Sequence, residues 1–359
     1  MKTIRDPVHG DINLSDVEKA VVDTQEMQRL RRIKQLSFCS LVYPGANHTR
    51  FEHSLGTMHL AGRIARKLGI EEAPIRLAGL IHDAGHLPFS HSLEEVFGVS
   101  HEDNLDLVLK GGLGDVIKDS GFDKNKILKL AKGDGPGKIV ASQIDADRMD
   151  YLLRDAHYTG VAYGVIDVDR IVNVIGFENN QIFFNRKGLI ALEALLIGRN
   201  QMYEAVYFHH TVRVADAMLK EAMGQAAKNF TVKQLLSMGD EELKILAKSK
   251  SAVAKELLDA LDNRRLYKIA ASLPAAAGRL DRDLLARKAK LKQYQILISK
   301  VSLSRFDFSI PVKDDGVLRD IKEVSKTARN LEDEIKRLEC VEVCVPRTVK
   351  ERVAEILGS

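Results

Sequence analysis

His53, the adjacent pair His82-Asp83 and Asp147 are imidazole and carboxylate groups spread over three segments with helical periodicity. That donor set suits a divalent transition ion which keeps open positions for water or phosphate oxygens. Metal-assisted hydrolysis is the chemistry that uses such a site most directly.

Neighbouring residues on a helix point about 100° apart, so His82 and Asp83 can serve one ion only where a helix is ending. The run IRLAGLI over 75–81 reads as a buried helix, and Gly85 and Pro88 follow it at once. A second helix, SLGTMHLAGRIARKL, opens at His53 and is closed by Gly69. A third opens at Asp147 in DRMDYLLRD, where Asp147, Asp150, Tyr151, Arg154 and Asp155 recur at helical spacing. One HD dipeptide arises readily by chance, and a lone buried histidine is usually a satisfied core residue. Four such groups on three helical segments are what gives the metal reading its weight.

More proton chemistry surrounds the same pair. HDAGHLPFSH adds His86 and His91, and His101-Glu102 follows closely. Histidine titrates near neutral pH, and a neighbouring carboxylate orients it and tunes its basicity. Glu94 and Glu102 are the carboxylates within reach in sequence.

The runs DPVHGDI, QRLRRIKQL, YPGANHTRFEHSLG, GLIHDAGHLPFSH and IDADRMDYLLRDAHYTG resemble the HD-domain deoxynucleoside triphosphate triphosphohydrolases, a family of vertebrate SAM-and-HD-domain enzymes and prokaryotic relatives. The resemblance spans roughly residues 2–220 and thins to short matches beyond. RFEHSLG and HDxGHxPFSH are its specific signals, whereas a bare HD is weak. It implies that His53, His82, Asp83 and Asp147 bind the metal, that Arg50, Arg148 and Arg199 face a triphosphate, and that His86, His91, His101, Glu102 and Glu94 form a catalytic cluster. Arg148 stands where the family enzyme has Lys, and Arg adds a bidentate fork for phosphate. Glu94 stands where it has Asp, so a carboxylate is kept beside His91.

Gln35, Leu36, Tyr151, Asp155 and Tyr207 match positions that hold the sugar, with Gln35 and Asp155 at the 3′-hydroxyl and Leu36 crowding the place of a 2′-hydroxyl. Phe208 departs from a Gln near the base. From the residues alone, Leu36 reads as core, Tyr207 as packing and Arg199 as a solvated helix charge; the resemblance is what makes them site residues. It also implies a guanine nucleotide activator bound within a homo-oligomer, dimer or tetramer. Asp23, Gln28 and Arg31 would read its base, and Lys2, Arg170, Arg264 and Lys268 its phosphates.

Composition agrees with a globular protein large enough to bury a substantial core: 359 residues, 45% hydrophobic and 29% charged. A net charge of +4 is too small to argue for nucleic acid beyond a secondary contact. No apolar run is long enough to span a bilayer, and MKTIRDPVHG is not a signal peptide, so the expectation is a cytoplasmic protein without a membrane partner. Cys39, Cys340 and Cys344 are too few for a disulfide framework, and the last two read as one side of a strand rather than as metal ligands.

Along the chain, VHGDINLS reads as a short hairpin, and a second hairpin turns at Asn179-Asn180 between VNVIGFE and QIFFNR. Helices are expected at TVKQLLSM and through KSAVAKELLDALDNRRLYKIAASL, and LPAAAGRLDRD reads as a boundary. Beyond it, YQILISKVSL is strand-like, Leu318, Ile321, Val324, Leu331, Ile335 and Leu338 recur at helical spacing, and CVEVCV alternates. The expected architecture is mainly α: an HD-domain helical phosphohydrolase with short β-hairpins and a small C-terminal α+β lobe. Its divisions are a catalytic core over 1–220, a helical extension over 221–275 and the lobe over 276–359.

The expected activity is hydrolysis of deoxynucleoside triphosphates to deoxynucleoside and triphosphate, with Fe, Mn, Mg, Ni, Co or Zn as the ion. One rival is an HD phosphohydrolase acting on a ribonucleotide, a nucleoside monophosphate or a guanosine alarmone. The other is a nucleotide-sensing regulator without turnover.

Overall fold

The structure, a computed structural model, describes residues 2–275, 280–301 and 308–358. The start of the expected lobe at Ala276 and the end of YQILISKVSL lie outside the described residues. The chain is mainly helical. Helix Arg50–Leu68 carries His53, helix Glu72–Ile81 ends at His82, and helix Ala146–Thr159 carries Asp147. The first of these starts before His53, because Thr49 and Glu52 close a capping box at its N-terminus, and Gly69 ends it at φ 68°. Asp145 caps the third by accepting from Arg148 N.

Among the described residues the strands form three small sheets. The N-terminal hairpin pairs Lys2–Asp6 with Gly10–Leu14, in register Ile4 to Ile12. It begins earlier than VHGDINLS suggests, because Asp6 accepts from the backbone N–H of Val8 and His9 and makes 7–9 the turn. The hairpin at Asn179-Asn180 forms as expected from Ile175–Glu178 and Gln181–Asn185, with both asparagines at positive φ. Strand Pro311–Asp314 adds to it in parallel, and Val317–Asp320 pairs with that strand across a turn at Asp315-Gly316. Leu318 is therefore on a strand, and the helical spacing is real only from Ile321 onward, over Ile321–Val324 and Lys326–Lys336.

The expected helix through KIAASL is also corrected. The helix stops at Asp262, and Lys268–Pro274 is an edge strand of the third sheet, whose centre is Cys340–Val345 and whose other edge is Leu297–Val301. CVEVCV alternates as expected: Cys340, Glu342 and Cys344 share one side, and all three cysteines are free thiols. A helix at Asp240–Lys250 precedes Ala252–Asp262.

The apolar clusters cross the expected divisions. The largest unites Ile12 of the hairpin, the three ligand-bearing helices and helix Leu189–Met202 with Phe308, Ile310, Val312, Leu331 and Ile335 near the C-terminus. A second is built on helix His210–Ala226 and takes in Leu87, Phe89 and Leu93. The loop after His82-Asp83 thus places Ala84 in the first cluster and Leu87 and Phe89 in the second. No helix among the described residues is long and apolar enough to cross a membrane.

Candidate metal centre and active site

His53, His82 and Asp147 offer ligand atoms that lie within 4.8 Å of one another. Asp83 closes the group, with its oxygens 3.6 Å from His53 Nε2 and 3.3 Å from His82 Nε2. The residues fit a divalent ion on the state of their nitrogens. His82 Nδ1 donates to Gly79 O at 2.8 Å, which leaves Nε2 with its lone pair; that atom is buried and has no hydrogen-bond partner among the described residues. His53 Nδ1 donates to Asp150 Oδ2 at 2.7 Å, so its Nε2 also faces the group as an acceptor. Burial disfavours charge on His53, yet hydrogen bonds to Asp147 and Asp150 outweigh it and push its pKa up to about 10. Several carboxylates here call for positive charge, which a cation supplies in place of that proton.

Two glycines in the motifs explain why the segments meet. A Cβ on Gly56 would stand 1.8 Å from Asp150 Oδ1, so the helix bearing His53 can approach the helix bearing Asp147 only with glycine there. A Cβ on Gly85 would stand 2.1 Å from His101 O, which brings His82-Asp83 beside helix His101–Val108. Phe89 and Ser90 are both left-handed, at φ 60° and 56°, a conformation that costs non-glycine residues on the order of 1–3 kcal/mol each. The kink presents Ser90 Oγ to Arg50 Nε at 2.7 Å, and Arg50 also pairs with Asp83 at 2.5 Å. Arg50 is buried, so it stabilises the ligand carboxylate as well as lining the cavity.

Beside the ligands stands a histidine cluster. The rings of His86 and His101 stack 4.1 Å apart, and His91 meets both edge-on. Glu94 Oε1 accepts from His101 Nδ1 at 2.6 Å and lies 3.2 Å from His91 Nδ1. Burial opposes its charge, but the hydrogen bonds from His101 and His91 hold the Glu94 carboxyl well below the usual range. Burial first, and then the charges of Arg50 and His101, hold His86 well below its ordinary value, so its imidazole is neutral near pH 7. Glu102 stands apart from this cluster, exposed at the rim of the same cavity.

That cavity, about 900 Å³, is lined by His82, Asp83 and Asp147 at the metal end and by His86, His91 and His101 beside them. Gln35, Leu36, Tyr151, Asp155 and Tyr207 line it as well, as do Arg50, Arg148 and Arg199. Sequence reasoning passed over its remaining cation, Lys132, and its polar residues Ser142, Gln143 and Tyr203. Gln35 is placed by its N–H donating to His48 O at 3.0 Å, along an antiparallel bridge between Lys34 and Thr49. Tyr207 ends a π-helical turn, Tyr203–Tyr207, and donates to Asp155 Oδ2 at 2.7 Å; His48 Nε2 holds the other oxygen at 2.8 Å. A second cavity of about 650 Å³ adjoins the first and shares Leu36, His91, Tyr207 and Phe208 with it.

The residues expected to bind an activator lie elsewhere. Gln28 donates to Val22 O, Arg31 donates to Gln28 Oε1 and covers the Phe51 ring at 3.6 Å, and Asp23 is exposed beside them. Thr24 caps helix Gln25–Arg29. Lys2 and Lys268 are exposed on strands of different sheets, Arg170 donates to Lys187 O, and Arg264 donates to Leu41 O.

Family models match on both sides of this geometry: the HD domain over residues 50–153, which carry all four ligands, and the HD associated region over residues 166–358. The chain belongs to the HD-domain family. HD domains belong to a superfamily of divalent-metal-dependent phosphohydrolases, and the His/Asp set here has the donor types and spacing to hold such an ion. Among relatives, an uncharacterized protein of Methanocaldococcus jannaschii is 45% identical over 275 residues, 75% of this chain and 59% of that protein. The chain therefore spans somewhat over half the length of that relative. A deoxynucleoside triphosphate triphosphohydrolase SAMHD1 homolog of Dictyostelium discoideum is 28% identical over 355 residues, covering 87% of this chain and 69% of that one. The crystal structure of a phosphohydrolase from Bacteroides thetaiotaomicron superposes with a TM-score of 0.81 at 26% identity, over 97% of this chain and 100% of that one.

Proposed function

We propose that this HD-domain protein hydrolyses deoxynucleoside 5′-triphosphates to the deoxynucleoside and inorganic triphosphate. The observation that carries the reading is co-location: one cavity of about 900 Å³ is lined by metal ligands, a proton-transfer cluster, three arginines with Lys132, and a carboxylate–tyrosine pair suited to a sugar hydroxyl. The named activity of the Dictyostelium relative agrees with it.

A bound divalent ion would supply Lewis-acid polarisation of a phosphoryl oxygen and a water of lowered pKa. Arg148, Arg199 and Lys132 offset the charge of the polyphosphate, with guanidinium forks suited to its oxygens. His91 gives a proton to the leaving 5′-oxygen as water bonds to the α-phosphorus and the P–O5′ bond breaks; burial lowers its pKa, which makes it a ready donor, and Glu94 beside Nδ1 orients the ring and partly offsets that lowering. Asp155, held by His48 and Tyr207, keeps acceptor capacity for a 3′-hydroxyl.

Product analysis tests this reading. Incubation with each common nucleotide and several divalent metals should release deoxynucleoside and intact triphosphate in equal amounts, read by ion-exchange chromatography. Release of pyrophosphate or single phosphate instead would assign another HD phosphohydrolase reaction. No turnover with any nucleotide would favour a sensor.

Activation by a guanine nucleotide is the second part of the reading. The carboxylate of Asp23 offers two acceptors to the N1 and N2 donors of guanine, a pattern adenine cannot meet, and it is exposed for that contact. Lys2, Arg170 and Lys268 lie on separate elements and Arg264 in the turn before Lys268, so we take one nucleotide to engage them across subunits. GTP or dGTP should therefore raise both the rate of dATP hydrolysis and the molecular mass by light scattering, and Asp23→Ala should abolish both responses. Binding and assembly must be reciprocally coupled. A wild type in which neither rate nor mass moves would dismiss the activator.

A further inference from the structure

The run DPVHGDI lines neither cavity, yet it reaches the metal ligands through buried side chains. Asp150 is fully buried one turn beyond Asp147. Its Oδ2 accepts from His53 Nδ1 at 2.7 Å and Arg154 Nε at 2.9 Å; its Oδ1 accepts from His9 Nε2 at 2.6 Å and Arg154 Nη2 at 2.9 Å. Arg154 Nη1 continues to Asp6 Oδ2 at 2.8 Å. Asp6 also accepts from the N–H of Val8 and His9, so one carboxylate shapes the hairpin turn and ties it to the arginine. The side chain of His9 is only 6% exposed, and its ring stacks on His59 at 5.4 Å.

His9, Arg154 and Asp6 reach His53 through Asp150. An imidazole nitrogen cannot carry a proton and offer a lone pair at once, so a carboxylate fixed at His53 Nδ1 commits Nε2 to the ion and sets the plane of the ring. Asp150 can hold that role only while its own rotation is blocked. Arg154 grips both oxygens from the same helix, and His9 secures Oδ1 from a separate element.

We propose that His9 is a positioning residue for the metal ligand His53, acting through Asp150, so that the N-terminal hairpin governs how tightly the divalent ion is held. The proposal rests on the metal centre and is independent of the nucleotide substrate.

The test compares wild type with His9→Phe, which keeps a ring to stack on His59 but has no donor, and with His9→Gln, whose amide N–H can reach Asp150. Each full-length protein is stripped, reloaded with Co(II), and read by chelator competition, by the d–d absorption spectrum and by thermal melting. Loss of contacts behind a metal-bound histidine lowers affinity by roughly 10- to 100-fold, and His9, one step further out, should give about tenfold. His9→Phe should show that loss and an altered Co(II) spectrum, and His9→Gln should recover most of both. If His9→Phe binds Co(II) with wild-type affinity and spectrum, with or without a lower Tm, the hairpin is merely structural and the proposal fails. If His9→Phe does not fold, His9→Ala, which also lacks the donor, decides: wild-type Co(II) affinity and spectrum overturn the proposal, and weakened affinity with an altered spectrum supports it.

Discussion

His82→Ala should remove bound metal and turnover together while leaving the helical circular dichroism intact. Its Nε2 is an unpartnered buried atom facing Asp83 and Asp147, and the rest of the ring makes one Nδ1 bond to Gly79 O and an edge-on contact with the His53 ring, so its loss costs the packing little. The loss removes several kcal/mol of transition-state stabilisation, about 10³-fold or more in rate. Asp83→Ala should abolish turnover as well, but not as cleanly. Arg50 is buried and pairs with Asp83 at 2.5 Å, so removing the carboxylate leaves a buried guanidinium with Ser90 as its remaining side-chain partner. Breaking such a pair costs on the order of 3–5 kcal/mol. The Tm of Asp83→Ala should fall, and that of His82→Ala should barely move. Metal content, steady-state rate and melting curves decide it: metal at wild-type stoichiometry with wild-type turnover in His82→Ala would refute the ligand assignment.

The proposed ligand residues are legible because each announces itself locally. His82-Asp83 sits where an apolar helical run meets Gly85 and Pro88, and the structure ends the helix at Ile81. His86, His91 and Glu94 lie within one short stretch, so their meeting needs no knowledge of the fold. His9 and His48 were not assigned a role, although both stand in quoted motifs. Their partners Asp150 and Asp155 are 141 and 107 residues away, and no spacing rule connects them. The available signal was a polar, turn-forming run, DPVHG, whose histidine is nearly as buried as a ligand.

The fold divided in the same way. Asn179-Asn180 fixes its hairpin by its own positive φ, whereas KIAASLP contains good helix formers and becomes a strand only through pairing with Cys340–Val345. Tertiary contact overrode propensity there. At Asp315-Gly316 the reverse happened: a local turn signal was present in DDG and was passed over in favour of the apolar spacing on either side. Residues 308–338 consequently join the sheet and core that support helix Leu189–Met202, the element that carries Arg199 in its last turn and leads into Tyr203–Tyr207. Sequence reading located the reactive groups, and long-range pairing determined what holds them.

Leu36 should make the enzyme prefer deoxyribose. It lines the cavity with Gln35, Asp155 and Tyr207, the polar groups proposed to hold the 3′-hydroxyl, and sets an apolar side chain beside them. Asp155 is already fixed by His48 and Tyr207, so it cannot turn toward a 2′-hydroxyl without breaking one of those bonds. The oxygen of Gln35 is buried with no hydrogen-bond partner among the described residues, ready to accept from the 3′ position. An unpaired 2′-hydroxyl then costs about 1–3 kcal/mol, which is roughly 5- to 150-fold in kcat/KM between dGTP and GTP. Leu36→Ala should narrow that ratio by admitting water beside the extra hydroxyl, chiefly through better use of GTP. Measuring kcat/KM for the two nucleotides in wild type and variant separates the possibilities. Equal values in the wild type would mean that Leu36 is only part of the core it packs against. A wild-type preference that Leu36→Ala leaves unchanged would assign the discrimination to Asp155 and Tyr207.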